Sequence, residues 1–380
     1  MKFNNNISLL FAIVCCCTLI FTGCNKDSID VKEDVQIENN DPIKVINYGR
    51  STSSKNSAKG QGFTGTSIAV FSNETSYKNY IEDLEVEVEN WDDAFLAEWD
   101  HLNDEDLNAK EEELGFDSEK PLTDFENQFG LQSLRKKYLQ EEETWLSNDV
   151  LDPTTDPGFN PLYDFDESEL AVMNSLAEIQ IGTKIVKKLT KEEFNLVNQE
   201  LGKSSGTKTA FTIPYEDTYL VIDDSDYDAL IDFNNGDSSV VNNDNVTVIN
   251  NPPVTECKYG REVRDEIGGG SRKFCRTLIK VRRPSLIWNG KVKITSYKKR
   301  RLTGWGKWRT NIGVGIEGNV FDDNCSSSPT YINKLKGKKR KRKQKYNWRN
   351  KSFDSHKVEN EGIKGVYLYN NIVKEVTLEW

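Results

Sequence analysis

The stretch YKNYIEDLEVEVENWDDAFLAEWDHL, Tyr77–Leu102, decides how the first half of this chain folds. Apolar residues recur in it at steps of three or four, the spacing of one face of a long amphipathic helix. They are Tyr77, Ile81, Leu84, Val88, Trp91, Phe95, Trp99 and Leu102. The opposite face is acidic and comprises Glu82, Asp83, Glu85, Glu87, Glu89, Asp92 and Asp93. The stretch therefore predicts a helix with one buried face and one acidic face.

Helical signals continue on the C-terminal side of this stretch. Thr123–Glu126 and Thr190–Glu193 have the form of capping boxes, which mark the start of a helix. Strand signals are fewer: Ser67–Phe71 predicts a strand, and Ile179–Val186 predicts a small hairpin. We therefore predict a mainly helical, acidic domain over residues 62–203.

Residues 204–256 are rich in Asp and Asn, and we predict a largely irregular connector there with one strand at Tyr219–Ile222. Its alternating aspartates, Asp224, Asp226, Asp228 and Asp232, resemble part of a calcium loop. A matching EF-hand would have Gly at position 229 and a bidentate Glu at 235, but the chain has Ala229 and Asn235. We expect no cofactor, and weak Ca²⁺ binding at Asp224–Asp232 is the one alternative left open.

Beyond Cys257 the pattern changes to strands rich in Val, Ile, Thr, Tyr and Trp. They are Lys273–Arg282, Lys291–Tyr297, Trp308–Phe321 and Gly365–Trp380. Asn289-Gly290 is a clear hairpin signal between two of them. The predicted fold class is α+β: the acidic, mainly helical N-terminal domain is followed by a basic antiparallel β-sandwich or barrel over residues 257–380.

The 380-residue chain has a formal net charge of −11, which hides a division between its two halves. Residues 24–256 contain 18 Lys and Arg against 50 Asp and Glu, a net of −32. Residues 257–380 contain 31 against 11, a net of +20. Charges of one sign at high local density repel each other and destabilise a compact state unless an opposite charge compensates them.

The basic half concentrates its charge in two clusters that lie close to tryptophans. The candidate polyanion-binding residues are Lys298, Lys299, Arg300, Arg301, Trp305, Trp308, Lys338, Lys339, Arg340, Lys341, Arg342, Lys343 and Trp348. Cations beside aromatic faces favour an anionic polymer, such as an acidic glycan, lipopolysaccharide or nucleic acid. Two alternatives stay open: the clusters pair with the acidic half of the same chain or with a protein partner, or they form a lysine-rich edge that prevents strand pairing.

Recognisable catalytic patterns are missing from the sequence. The two histidines, His101 and His356, lie far apart, and the chain has neither a CxxC pair nor an HExxH motif. The carboxylate runs Glu111–Glu113 and Glu141–Glu143 predict solvent-exposed helix faces. We therefore expect a protein that is not an enzyme, with a carboxylate-based glycan hydrolase as the third hypothesis.

The N-terminus has the form of an export signal over residues 1–23. Lys2 precedes the uncharged apolar run Ile7–Phe21, which is too short for a membrane span. The run leads into Phe21-Thr22-Gly23-Cys24, which resembles the lipobox of bacterial lipoproteins although Phe21 stands where Leu is usual. The resemblance implies cleavage before Cys24, lipidation of its thiol, and anchoring to a lipid bilayer through the acyl chains. A flexible tether is predicted for residues 24–61.

Two further segments carry a family resemblance. Leu114–Arg135 and Leu176–Val186 resemble segments of uncharacterised Bacteroidota surface lipoproteins, a family without an established activity. The resemblance implies a location at the outer membrane or cell surface and no catalytic residue. The expected function is non-catalytic binding of an anionic polymer by the basic domain, and the alternative is a structural or assembly lipoprotein whose basic domain pairs internally or with a protein.

Three cysteines remain after the signal and Cys24: Cys257, Cys275 and Cys325. We expect one disulfide and one buried thiol among them, because three cysteines in one chain cannot all pair internally. The sequence does not choose among the pairings.

Overall fold

The computed structural model describes residues 43–49, 65–147, 165–204, 218–249, 261–270, 273–281, 290–300, 304–321, 330–348, 357–358 and 363–378. All of them belong to one compact unit, Asp41–Trp380. The predicted signal at 1–23, Cys24, Arg301, Cys257 and Cys325 lie outside the described residues, as do most of the predicted tether and the side chains of Arg300 and Trp348.

The long helix predicted from the apolar spacing is confirmed as α1, Glu74–Trp99. Asn73 caps its N-terminus, and Ser76 completes a capping box with it. Tyr77, Ile81, Leu84 and Phe95 are buried on one face, as the period requires.

Six further helices follow in the described part of the chain. They are α2 Asp104–Leu114, α3 Lys120–Gln128, α4 Leu134–Leu146, α5 Glu167–Val172, α6 Lys191–Ser204 and α7 Tyr227–Asn234. The capping box at Thr190–Glu193 starts α6 as predicted. The one predicted at Thr123–Glu126 is wrong, because α3 already begins at Lys120 with Pro121 in its first turn, where the missing N–H of proline costs nothing.

The first sheet has six strands in the order β1-β2-β3-β4-β5-β6, and only the β2–β3 pair is parallel among the described strands. The strands are β1 Ile43–Gly49, β2 Gly65–Phe71, β3 Glu178–Ile181, β4 Lys184–Lys188, β5 Tyr219–Asp223 and β6 Val246–Ile249. The strand at 67–71 and the hairpin at 179–186 match the sequence prediction.

This sheet extends into two segments that the sequence predicted to be irregular. Strand β1 lies inside the predicted tether, and α7 and β6 lie inside the predicted connector, whose one predicted strand, Tyr219–Ile222, is confirmed as β5. The short apolar runs there, including Leu220, Ile222, Leu230 and Ile231, are buried in one core with residues of β2 and β4. Asp and Asn residues on either side dominate the local composition. The burial of these short apolar runs could therefore not be predicted from composition.

The basic half forms two five-stranded antiparallel sheets packed face to face. One sheet contains β7 Arg261–Gly270, β8 Lys273–Val281, β9 Gly290–Arg300, β10 Gly304–Lys307 and β13 Lys343–Trp348. The other contains β11 Thr310–Phe321, β12 Thr330–Lys341, β14 Lys357–Val358, β15 Lys364–Tyr369 and β16 Ile372–Thr377. Their shared core includes Val292, Ile294, Val314 and Tyr367. The architecture is therefore the sandwich alternative of the predicted fold class.

The most basic segment of the chain connects the two sheets at one edge. Strand β12 pairs with β11 in the second sheet, and β13 pairs with β9 in the first. The chain passes from one sheet to the other at Arg342, so Lys339–Lys345 lies along the side of the sandwich that meets the helices.

Candidate functional site

The principal site in the described structure is a charged interface between the helices and the sandwich. The cations come from β9, β10, β12, β13 and the link between β10 and β11. The carboxylates come from α1, α2, α3, α4 and α5. The acidic and basic halves of the sequence therefore face each other within one compact unit.

Arg309 is at the centre of this interface, and its side chain is fully buried. Its guanidinium donates to Asp92 Oδ1 over 2.6 Å and to Glu111 Oε1 over 2.6 Å. The third contact is with the backbone oxygen of Arg340, at 2.9 Å. Burial by itself would lower the pKa of Arg309, but the two carboxylates outweigh that effect and raise it.

The backbone of Arg309 is held as firmly as its side chain. Asn108 on α2 donates to the carbonyl oxygen of Arg309 over 2.8 Å and accepts from its backbone N–H over 2.8 Å. The guanidinium also lies 5.5 Å from the ring centre of Phe95, within cation–π range. Arg309, in the short link between β10 and β11, is thus fixed to both α1 and α2.

A second cluster forms at the start of α5. Lys291 Nζ lies 2.5 Å from Asp166 Oδ1, and Lys345 Nζ lies 3.1 Å from Asp166 Oδ2. Glu167 is paired with Lys293 at 3.2 Å and with Lys343 at 2.9 Å. Burial alone would raise the pKa of both carboxyl groups, but the lysine charges outweigh it and hold both values well below the usual range.

A third cluster links α3 and α4 to the same lysines. Arg135 contacts Glu119 at 2.9 Å and Glu126 at 3.1 Å, and all three side chains are almost completely buried. Glu119 also pairs with Lys343 of β13. The pKa of Glu119, which burial alone would raise, is held well below its ordinary value mainly by Lys343. The second and third clusters therefore share Lys343.

Two carboxylates predicted to be solvent-exposed belong to this interface instead. Glu111 is 1% exposed and pairs with Arg309 and with Arg342, which is 2.9 Å away. Glu142 is 5% exposed and pairs with Lys307 at 2.7 Å. The prediction of solvent exposure failed because a charged helix face has the same sequence pattern whether it contacts water or an oppositely charged part of the fold. Glu112, Glu113 and Glu143 are exposed as expected.

Most of the predicted polyanion-binding cations at 339–343 have carboxylate partners in the same chain. Lys339 lies 2.9 Å from Asp93, and Arg340 lies 3.3 Å from Asp104. Lys341 lies 3.2 Å from Asp93 and 3.5 Å from Asp92. Arg342 and Lys343 pair with Glu111 and Glu119 as described above. Lys338 differs from these: it donates to the backbone oxygen of Asn370 over 2.8 Å and has no ion pair with a described residue.

The predicted tryptophans are similarly occupied. Trp305 is 3% exposed, and it belongs to a small apolar cluster with Tyr297, against which Trp145 packs. Lys298 Nζ lies 3.5 Å from the ring centre of Trp308 and also pairs with Glu105 of α2. Lys299 is exposed and lies 6.0 Å from the ring centre of Trp305. The described tryptophans of the basic half therefore contribute to packing within the protein.

A cleft with a volume of about 390 Å³ opens along this interface, between α1 and the β12–β13 segment. Glu82, Glu85 and Glu89 line one wall, and Lys341, Lys343 and Lys345 are on the other. Several ion pairs across it are long, including 3.4 Å for Lys345 and Glu85 and 3.8 Å for Lys341 and Glu89. The cleft is thus a charge-balanced part of the interface.

The aspartates of the calcium hypothesis have structural roles in the fold. Asp226 caps α7, accepting from the backbone N–H of Ala229, and also accepts from Asn243. Asp224 accepts from Gln180 over 2.9 Å. Within the described ranges, no group of three His, Cys, Asp or Glu side chains is arranged to hold a metal ion. No described helix is both long and apolar enough to cross a membrane.

Sequence reasoning missed Arg309, Asp166, Glu167 and Glu119 as members of the site. Arg309 stands alone between Trp308 and Thr310, outside either basic cluster. No local signal marks it, because its partners Asp92 and Glu111 are about 200 residues away in the sequence.

Comparisons with known proteins give one structural match. No family model and no curated protein matches the chain. Among solved structures, the chain is similar to the crystal structure of a DUF4848 family protein from Bacteroides thetaiotaomicron. The match has 11% sequence identity, covers 82% of this chain and 97% of that chain, and has a TM-score of 0.17, which does not indicate a common fold.

Proposed function

We propose that the protein is a non-catalytic, lipid-anchored lipoprotein of the cell surface with a structural or assembly role. In this proposal the acidic helices and the basic sandwich act as a single rigid unit, tethered to the membrane through lipidated Cys24. The observation that carries the proposal is the buried pairing of Arg309 with Asp92 and Glu111. Such a pairing serves the fold, since a fully buried cation is not accessible to an external polymer.

The wider charge distribution supports the same proposal. Lys339, Arg340, Lys341, Arg342 and Lys343 each have a carboxylate partner on the helices. A polyanion that bound these residues would have to displace those carboxylates, several of which are buried. Removing one member of a buried pair is strongly destabilising because it leaves an uncompensated charge.

Polyanion binding remains the second candidate function, with a smaller set of residues. Lys299, Lys334, Lys336 and Lys338 are exposed and have no ion pair with a described residue. Four contacts of this kind with a single-stranded nucleic acid would give a log-log salt slope of about −3, compared with about −4 for six contacts. We therefore expect weak and only mildly salt-dependent binding.

Strand β12 offers a direct experiment, because paired and unpaired cations are neighbours on it. One variant carries Lys339→Glu, Arg340→Glu and Lys341→Glu, which reverses three paired cations. Its matched control carries Lys334→Glu, Lys336→Glu and Lys338→Glu, with the same change in net charge. Both are compared with the unaltered protein by urea denaturation and by heparin binding.

We expect the first variant to lose several kcal/mol of stability or to fail to fold, since the buried Asp92 and the half-buried Asp93 and Asp104 then face like charges. The control variant should unfold within about 1 kcal/mol of the unaltered protein. If the first variant instead unfolded normally and lost tight heparin binding, the structural proposal would be wrong and the polyanion candidate would replace it.

A further inference from the structure

The cleft between α1 and the β12–β13 segment contains polar groups that the charged interface leaves without partners. Lys336 of β12 lines this cleft and makes no ion pair with a described residue. Gln344 of β13 also lines it and is 7% exposed. Its amide nitrogen donates to the backbone oxygen of Gly337 over 3.2 Å, whereas its Oε1 accepts no hydrogen bond from any described residue. A buried acceptor without a donor costs free energy, which the N–H group of a ligand can recover.

The strand register explains why Lys336 and Gln344 face the same space. Lys336 pairs with Val314 of β11, which is buried in the core between the two sheets. Gln344 pairs with Ile294 of β9, which belongs to the same core. Because directly paired residues have their side chains on one face of a sheet, Lys336 and Gln344 both point toward the gap between the sheets. The cleft joins the open edge of this gap to α1.

The cleft is balanced in charge, but its charges are separated between two walls. The carboxylates that line it come from the helices and are Glu82, Glu85, Glu89, Asp92 and Glu119. The cations that line it come from the strands and the link between them and are Lys336, Lys341, Arg342, Lys343 and Lys345. A ligand with a single charge of either sign would be repelled by one wall, whereas a zwitterion can turn each of its ends toward the opposite charge.

The α1 wall has room for a further donor. The pairs Lys345–Glu85 and Lys341–Glu89 are 3.4 Å and 3.8 Å long, compared with roughly 2.7–2.9 Å for a charge-assisted hydrogen bond. Val86 lies between these glutamates in the sequence, lines the cleft and is 55% exposed, so it can contact a small apolar side chain. The volume of about 390 Å³ is near the lower end of the range of small-molecule sites, roughly 300–1,000 Å³.

We propose that this cleft binds a short peptide with free amino and carboxyl ends, of the size of a dipeptide. Its carboxylate pairs with Lys336, its ammonium group pairs with the glutamates of α1, and an N–H group donates to Gln344 Oε1. A dipeptide fits better than a single amino acid, because no described carboxylate lies within ion-pair distance of Lys336. The two charges of a dipeptide are further apart than those of an amino acid by about 3.5 Å, the length of one extended residue.

The inference goes beyond the proposed function and does not depend on it. Neither Lys336 nor Gln344 contributes an ion pair to the interface between the helices and the sandwich. The interface can therefore hold the two halves together whether or not a peptide occupies the cleft.

The test is isothermal titration calorimetry with alanylalanine, its N-acetylated form and its C-terminal amide. The chain from Asn25 onward is used, which keeps the compact unit Asp41–Trp380 and omits the predicted lipidation site. Two variants, Lys336→Gln and Glu82→Gln, each remove one charge from the cleft. Their matched controls are Lys334→Gln and Asp83→Asn, which remove an exposed charge of the same sign from the same strand or helix, outside the lining of the cleft.

We expect the unaltered chain and both controls to bind alanylalanine within about twofold of each other, because exposed charges outside a site contribute little. Loss of one charged contact should weaken binding at least about tenfold, both in the two variants and for each blocked dipeptide. Because Lys336 contacts the carboxylate, the Lys336→Gln variant should bind the amide as well as it binds the free dipeptide.

The proposal would be overturned if alanylalanine showed no saturable binding at about 10 mM, or if the controls lost as much affinity as the variants. Equal affinities for the free and N-acetylated dipeptides would overturn it in favour of a simple anion site at Lys336. Lys336 and Glu82 are both exposed, so each variant should melt within about 2 °C of the unaltered chain. Thermal denaturation thereby separates loss of the ligand from loss of the fold.

Discussion

Replacement of Arg309 by Met tests whether the charged interface holds the two halves together. The substitution keeps a long, flexible side chain but removes the guanidinium that contacts Asp92 and Glu111 at 2.6 Å. Removing one partner of a buried ion pair costs about 3–5 kcal/mol. Glu111 retains Arg342 at 2.9 Å, and Asp92 retains Lys341 at 3.5 Å, so part of the carboxylate charge stays compensated. We therefore expect a loss near the lower limit, about 3 kcal/mol.

The loss is measured by urea denaturation and by differential scanning calorimetry. For a unit of this size, about 2 °C in Tm corresponds to 1 kcal/mol, so the melting temperature should fall by about 6 °C. The matched control is Lys137→Met, which removes an exposed cation and should change the stability by less than about 0.5 kcal/mol. The double variant Arg309→Met with Glu111→Gln should lose about 1–3 kcal/mol less stability than the sum of the two single losses. The reason is that Glu111→Gln removes the carboxylate that Arg309→Met leaves unpaired.

A stabilising role of the Arg309 ion pairs would be refuted if Arg309→Met unfolded within about 0.5 kcal/mol of the unaltered protein, as the control should. It would also fail if the effects of Arg309→Met and Glu111→Gln were simply additive, since additivity means that the two side chains do not interact.

Three further outcomes follow from the structure, and a fourth follows from the sequence. The carboxyl groups of the interface have lowered pKa values in the folded state, so their contribution to folding stability is complete above their unfolded pKa values of about 4. The free energy of unfolding, measured from pH 7 to pH 2, should therefore fall progressively below about pH 5. A flat profile would contradict the ion pairing. Cys275 is a free thiol buried in the sandwich core, and burial raises its pKa, so alkylation by iodoacetamide should require denaturant; fast labelling of the native protein would show that the core is open. Gly315→Ala should reduce stability by about 1–3 kcal/mol, because its Cβ would lie 2.8 Å from a backbone oxygen. Gly337→Ala, on the neighbouring strand β12, has open space around the new Cβ and should reduce stability by less than about 1 kcal/mol. Equal melting temperatures for the two variants would contradict the close approach at Gly315. Cys24→Ser should abolish incorporation of labelled palmitate and release the protein from the membrane fraction, and a variant that stayed labelled would exclude Cys24 as the site.

Local patterns in the sequence determined much of the secondary structure. The apolar spacing from Tyr77 to Trp99 gives α1, because one helix turn contains 3.6 residues and only one face can be buried. The change to β-branched and aromatic residues after Cys257 gives the strands of the sandwich in the same way. The strand predicted at Tyr219–Ile222 is confirmed as β5, but the strands β1 and β6 were not predicted. Their short apolar runs are flanked by polar residues and become strands only when a neighbouring strand pairs with them.

The candidate site could be predicted only as a choice between alternatives. The opposite charges of the two halves showed that each needs a partner, and internal pairing was one of the partners considered. Which cations would be buried was not visible, and the tryptophans predicted as stacking surfaces for a ligand include the buried Trp305. Exposure is a property of the packed structure, so a cluster such as Lys338–Lys343 gives no indication of which members face solvent.

The sequence by itself determined the α+β class, the acidic and basic halves, the capping box at Thr190–Glu193 and the hairpin at Ile179–Val186. The capping box and the hairpin depend only on residues that are close together in the chain. Only the tertiary structure decided that Arg309 meets Asp92 and Glu111, and that Lys291 and Lys345 meet Asp166. The physical reason is that an ion pair depends on distance and burial. The partners of Arg309 come from α1 and α2, about 200 residues earlier in the chain, and the packing of the sandwich on the helices brings them within 2.6 Å.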